Sequence, residues 1–103
     1  MNEEIDRDKP IFPMSAMANG LQVHQRILRI YYREKILVPQ KTPKDEVLYS
    51  INDLEKGKFI KYLAKELKFD LTGIKIILQL LKKLKIPSGE HKEFIEKLVN
   101  TSR

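Results

Sequence analysis

Residues 15–50, SAMANGLQVHQRILRIYYREKILVPQKTPKDEVLYS, decide how the rest of the 103-residue chain is read. Ser15 suits a helix N-cap, and Met14, Met17, Ala18 and Leu21 recur on one side of a helix that runs to about residue 21. Gly20 weakens that helix near its end. A sharp turn fits residues 22–24, and a second helix fits residues 25–35. On it Ile27, Leu28 and Tyr31 share one side, while Arg26, Arg29 and Arg33 form an exposed basic ridge. Pro39 ends any helix. Between Pro39 and Ser50 there is room for two short strands about Thr42-Pro-Lys-Asp, with Val47 and Tyr49 alternating on the return strand. Lys41 and Lys44 sit on that hairpin. Two helices joined by a tight turn, then a hairpin wing, can lay the second helix into a DNA groove.

Outward from this stretch the signals are simpler. Residues 1–9 are polar, mostly charged and aperiodic, so residues 1–10 read as a loose arm. Pro10 and Pro13 bracket Ile11 and Phe12, which permits a short edge strand. Ser50 with Asp53 three residues on is a capping-box start for a third helix over about residues 51–68, with Leu54, Ile60, Leu63, Ala64 and Leu67 at helical spacing. Residues 71–85 read as a fourth helix with two apolar faces. Leu71, Ile74, Ile77, Leu78 and Leu81 make one; Ile76, Leu80 and Leu84 make the other. A small domain covers one side of such a helix, so the second argues for a partner subunit. Pro87-Ser-Gly interrupts, and residues 90–100 form a last short helix with Phe94, Ile95, Leu98 and Val99 as its seam. Residues 11–86 thus read as one domain and residues 87–103 as a dimerisation element.

Composition narrows the function classes. Net charge is −2 over residues 1–20, +3 over residues 21–50 and +5 over residues 51–103, so the basic excess begins where the two short helices begin. That favours an anionic partner, nucleic acid first, although a solvated Lys-rich surface is the bland alternative. Cysteine is absent, which removes disulfides, thiolate metal sites and Cys nucleophiles together. No stretch has the pattern of a signal peptide, and no apolar run approaches the ~20 residues of a membrane helix. The simplest reading is a soluble, cytoplasmic protein. His24 and His91 stand apart without metal-ligand spacing, and no Gly-rich phosphate loop or nucleophile set stands out, so neither a metal, a cofactor nor an enzyme is expected. His24 fits a turn residue or N-cap.

In this order the elements resemble the MerR family of transcription regulators. The resemblance covers about residues 11–84 and rests on Leu21-Gln-Val-His24, Leu28-Arg-Ile-Tyr31, Ile36-Leu-Val-Pro39, Leu48-Tyr-Ser50 and the block Glu66-Leu-Lys-Phe-Asp-Leu-Thr-Gly-Ile74. The Val-His turn, the Thr-Pro wing and the last block look closest to the HspR-like heat-shock repressors. The implied fold is mainly α: a winged helix-turn-helix with a two- or three-stranded wing sheet and extra C-terminal helices. Carried over by position, Arg29 and Tyr31 match a pair used against DNA, and Gln25 and Arg26 match the groove-facing helix start. Lys41 and Tyr49 fall on the wing, and Lys65 matches a phosphate-contacting basic residue. Tyr31 and Tyr49 fit packing equally well. The sequence departs from the family at four places: Gln22 and Lys35 stand where glycines are usual, Ile27 replaces a Thr, and Val47 replaces a wing arginine.

The resemblance implies a DNA-binding repressor that acts as a homodimer on an inverted repeat of double-stranded DNA. Gln25, Arg26, Arg29, Tyr31, Arg33, Lys41, Lys44, Tyr49 and Lys65 are the candidate DNA contacts. Ile76, Leu80, Leu84, Phe94, Ile95 and Leu98 are the candidate dimer contacts. Likeness to HspR also implies control of chaperone genes with a DnaK-type chaperone as co-repressor. Many MerR-type proteins carry an effector domain after a long dimer helix, and this chain stops too soon for one, so no small-molecule effector is expected. The alternatives are a winged-helix interaction module that has lost DNA affinity, which Val47 favours, and an excisionase-like DNA-bending protein.

Overall fold

Two prolines, Pro10 and Pro13, bracket Ile11 and Phe12 at the first strand. The computed structural model describes residues 4–101. Phe12–Pro13 forms β1, an edge strand where a residue without an N–H is tolerated. Antiparallel β1, β2 (Gln40–Lys41) and β3 (Val47–Tyr49) form one sheet in the order β1-β3-β2. Phe12 pairs with Tyr49, and Lys41 pairs with Val47. The helices are α1 (Met14–Leu21), α2 (Gln25–Arg33), α3 (Ile51–Lys65), α4 (Leu71–Lys83) and α5 (His91–Thr101), with a 3₁₀ turn at Ser88–Glu90. This is the winged helix-turn-helix that the residue pattern implied. Ser15, however, is not a cap: α1 begins one residue earlier, with Pro13 at the N-cap and no side-chain cap bond.

The expected loose arm extends over residues 1–10, of which residues 1–3 lie outside the described residues. Its remainder is tied to the start of α3. Asn52 donates its backbone N–H to the Arg7 carbonyl at 2.9 Å and its side-chain amide to Asp8 at 2.7 Å. Arg7 Nε donates to the Asn52 side-chain Oδ1 at 3.1 Å. Sequence polarity hid this because the partner is 45 residues away.

The chain divides into two compact units, Met1–Lys58 and Phe59–Arg103. In the first, α1 packs on α2 and on the sheet, and Met17, Ala18, Leu21, Leu28, Ile36, Leu37 and Tyr49 are buried. Gly57 is buried too, and a Cβ there would come within 2.7 Å of Leu21, so glycine lets α3 pass close to α1's side chain. The start of α3 is the reciprocal capping box the sequence announced: Asp53 N–H donates to Ser50 Oγ at 3.0 Å, and Ser50 N–H to Asp53 Oδ2 at 2.9 Å. In the second unit Phe59, Ile60, Leu63, Ile74, Leu81 and Ile95 are buried. His91 donates from Nε2 to the Ile86 carbonyl at 2.8 Å and packs its ring 5.6 Å from Phe59. Asp70 caps α4 by accepting from Gly73 N–H at 2.8 Å.

Three helices end in the same closed turn. After α2, Lys35 N–H bonds the Tyr32 carbonyl and Ile36 N–H the Tyr31 carbonyl; Lys85 and Ile86 repeat the pattern after α4, and Gln22 and Val23 after α1. This turn needs left-handed backbone, and Gln22 (φ 55°), Lys35 (φ 58°) and Lys85 (φ 56°) supply it without glycine. A side chain there costs roughly 1 kcal/mol relative to glycine, partly offset by glycine's greater freedom when unfolded. Gln22→Gly and Lys35→Gly should therefore each raise the unfolding free energy by about 0.5–1 kcal/mol. Denaturant unfolding followed by circular dichroism reads this, and a loss of stability would contradict it.

Candidate nucleic-acid interface

The interface is built on α2 and begins at its cap. His24 has extended backbone (φ −73°, ψ 144°), and its Nδ1 accepts the Arg26 N–H at 3.2 Å. That satisfies one of the free N–H groups at the helix start and fixes where α2 begins. Leu28 is fully buried and Ile27, Ile30 and Tyr31 are half-buried, so one side of α2 is anchored in the first unit. The opposite side is then bound to face outward. Arg26, Arg29 and Arg33 all lie on it, exposed, at three- and four-residue spacing. Arg33 has a partner of its own in Glu34, at 3.8 Å.

Arg29 and Gln25 line a concavity of about 650 Å³ together with Ser15, Ala18, Asn19, Gln22, Val23 and His24. Here α1, the turn and the start of α2 present amide, hydroxyl, imidazole and guanidinium groups to one space, a donor set suited to phosphate oxygens and base edges. Ser15, Asn19, Gln22 and His24 were absent from the candidates read from sequence. The four-residue spacing of Ser15 and Asn19 on the polar side of α1 was the available signal.

The wing departs from expectation. Lys41 and Lys44 are exposed, as foreseen, but Lys41 Nζ lies 3.1 Å from Asp45 Oδ1. Tyr49 is not a surface residue at all. It is 0% exposed, and among the described residues its hydroxyl has no hydrogen-bond partner. Burial first, then Asp53 and Tyr32, push that hydroxyl up to about 12. Of the two readings of Tyr49, packing is the one the structure bears out, because its strand face turns inward. Val47, two residues earlier on the same face, is half-buried. Burial also raises the Tyr31 hydroxyl, and the residue as a whole is half-buried. Lys65 is exposed in the last turn of α3, in the second unit.

On that second unit Ile76, Leu80 and Leu84 stand 55%, 52% and 58% exposed, four residues apart along α4 and its cap. Leu98 of α5 is also exposed, and Phe94 is half-buried. Ile95, expected at a dimer seam, is instead 8% exposed and belongs to the unit's own core. Among the described residues no group of three or more His, Asp or Glu could hold a metal ion, and no helix is long and apolar enough to cross a membrane.

Comparison with known proteins agrees with this geometry. Residues 12–81 match the family described as MerR HTH family regulatory protein. A Streptomyces coelicolor protein described as a heat shock protein, HspR, is 30% identical over 77 residues. The match takes in 75% of this chain and 51% of that protein, so the chain spans about half the length of this relative.

The orphaned Tyr49 hydroxyl gives a test independent of DNA. Leaving such a group unpaired costs about 1–3 kcal/mol, so Tyr49→Phe should stabilise the fold by about 1 kcal/mol. Its elevated hydroxyl also dictates a pH effect. Below pH 10 the group is protonated whether folded or unfolded; above it the unfolded chain ionises first, so stability falls between about pH 10 and about pH 12. Tyr49→Phe should flatten that fall in alkaline denaturation curves, while leaving DNA affinity at neutral pH unchanged. A large loss of affinity would return Tyr49 to the interface.

Proposed function

As the chain belongs to the MerR family of helix-turn-helix regulatory proteins and is a DNA-binding transcription regulator, we propose that it is a repressor that binds an inverted repeat as a homodimer. The observation that carries this reading is the exposed ridge of Arg26, Arg29 and Arg33 on a helix whose other side is anchored by fully buried Leu28. Gln25, Arg26 and Arg29 enter the major groove, where the guanidinium fork suits both guanine edges and phosphates. Arg33, Tyr31, Lys41, Lys44 and Lys65 contact the backbone and set the register of the helix. Two copies related by a two-fold place their α2 helices in successive major-groove turns.

The exposed line of Ile76, Leu80 and Leu84 supports self-association, with exposed Leu98 and half-buried Phe94 as further dimer contacts. Residues 87–103 extend this dimerisation element; Ser102 and Arg103 lie outside the described residues. Likeness to HspR supports control of stress or chaperone genes in a bacterial cytoplasm, with a DnaK-type chaperone as co-repressor. The wing favours the second reading, a protein-interaction module with weak DNA affinity, because Val47 supplies no charge and Lys41 already has a carboxylate partner.

Two measurements separate these readings. Arg29→Ala should remove most DNA affinity in an anisotropy titration while leaving helix content unchanged, since the residue is exposed and its loss creates no cavity. Binding equal to the parent's would favour the interaction module. Sedimentation at micromolar concentration should give twice the 12.1 kDa chain mass. A monomer that also fails to pair on DNA would contradict the dimer.

A further inference from the structure

The wing carries as many acids as bases. Between Gln40 and Tyr49 stand Lys41 and Lys44 against Asp45 and Glu46, whereas α2 bears three arginines and no acid. A wing meant to add phosphate contacts would not be expected to neutralise itself, so each carboxylate needs a reason.

The turn does not supply one for Asp45. Thr42 closes it alone: Thr42 N–H donates to the Glu46 carbonyl at 2.8 Å, Asp45 N–H to the Thr42 carbonyl at 2.9 Å, and Glu46 N–H to Thr42 Oγ1 at 3.1 Å. Asp45 has left-handed backbone (φ 68°), which Asn accepts as readily as Asp. Stability does not supply one either. The partner of the Asp45 carboxylate is Lys41 Nζ at 3.1 Å, in a pair whose side chains are 61% and 82% exposed. Such a pair contributes little to folding. Its remaining consequence is electrostatic: an oxygen anion sits on the Lys41 ammonium in the manner of a phosphate oxygen.

We infer that Asp45 is an affinity-setting residue that competes with DNA phosphate for Lys41. The inference rests on the DNA-binding reading above. When a duplex reaches the wing, Lys41 has two courses. It can stay with Asp45, in which case it displaces no counterion from the duplex. Or it can turn to a phosphate, which first requires giving up its contact with Asp45. Both courses lower the wing's share of the sequence-independent attraction, which is the share that grows with each phosphate neutralised. Discrimination is left to α2, which bears three arginines and no acid inside the helix, Glu34 just past its end pairing with Arg33.

The test uses the full chain and a fluorescein-labelled duplex of mixed sequence, titrated by anisotropy from about 50 to about 200 mM salt. Asp45→Asn should bind roughly threefold to tenfold more tightly at the low end, and the slope of log affinity against log salt should steepen by about 0.9 for one added phosphate contact. Its thermal melt should match the parent's. In the Lys41→Ala background the same Asp45→Asn change should lose most of its gain, because the competition has been removed. Unchanged affinity and slope in Asp45→Asn would overturn the inference, as would a gain that persists undiminished without Lys41. If instead the parent shows no salt-dependent binding and Arg29→Ala behaves like it, the DNA-binding reading fails and the inference with it. Parent binding with an unresponsive Asp45→Asn removes the inference alone.

Discussion

The turn between α1 and α2 is the constraint on which the rest of the first unit depends. Left-handed backbone at Gln22 lets Val23 N–H close on the Ala18 carbonyl, and His24 caps the next helix one residue later. With so few residues between them, the two helices cannot swing freely, and the burial of Met17, Ala18, Leu21 and Leu28 fixes their contact. Once Leu28 points inward, helical periodicity sends the three arginines outward together. The closed turn at Lys35 then drops Ile36 and Leu37 into the core and releases the chain toward the wing. Charge presentation is thus a consequence of packing.

What the sequence made legible followed from local rules. The Ser50–Asp53 capping box, the helix start at Gln25, the inward Leu28 and the two-faced fourth helix are each set by residues within a turn or two of one another. Helix ends were less legible. The second, third and fourth helices were read to residues 35, 68 and 85, and the structure stops them at Arg33, Lys65 and Lys83. Lys35, Lys68 and Lys85 all have positive φ, yet lysine is a good helix former, so no residue announced the stop. At Lys35 and Gln22 the clue lies in the family resemblance alone, which implies glycine at both positions. For Tyr49 the sequence names the right strand but leaves packing and DNA contact both open, since alternation gives a period and not which face is buried. Ile95 shows the same ambiguity on a helix. The tie between Asn52 and residues 7 and 8 depends on a contact no local pattern encodes.

The two halves of the candidate interface carry different electrostatics. On α2 three arginines stand with no acid inside the helix, Glu34 just past its end pairing with Arg33, and the capped N-terminus borders a concavity rich in donors. On the wing, charge cancels within four side chains, and the face that holds Tyr49 and Val47 is committed to packing. The proposed roles follow from this division: specificity from the helix and overall affinity tuned through the wing, because backbone attraction adds equally to every sequence.

Selection of bound duplexes from random double-stranded DNA tests the central claim most directly, that the α2 ridge of this MerR-family chain reads base sequence as a two-fold pair. The account predicts enrichment of one inverted repeat, its half-sites about 10 base pairs or a multiple apart. Retention of DNA without any enriched sequence, or of a single half-site alone, would contradict it.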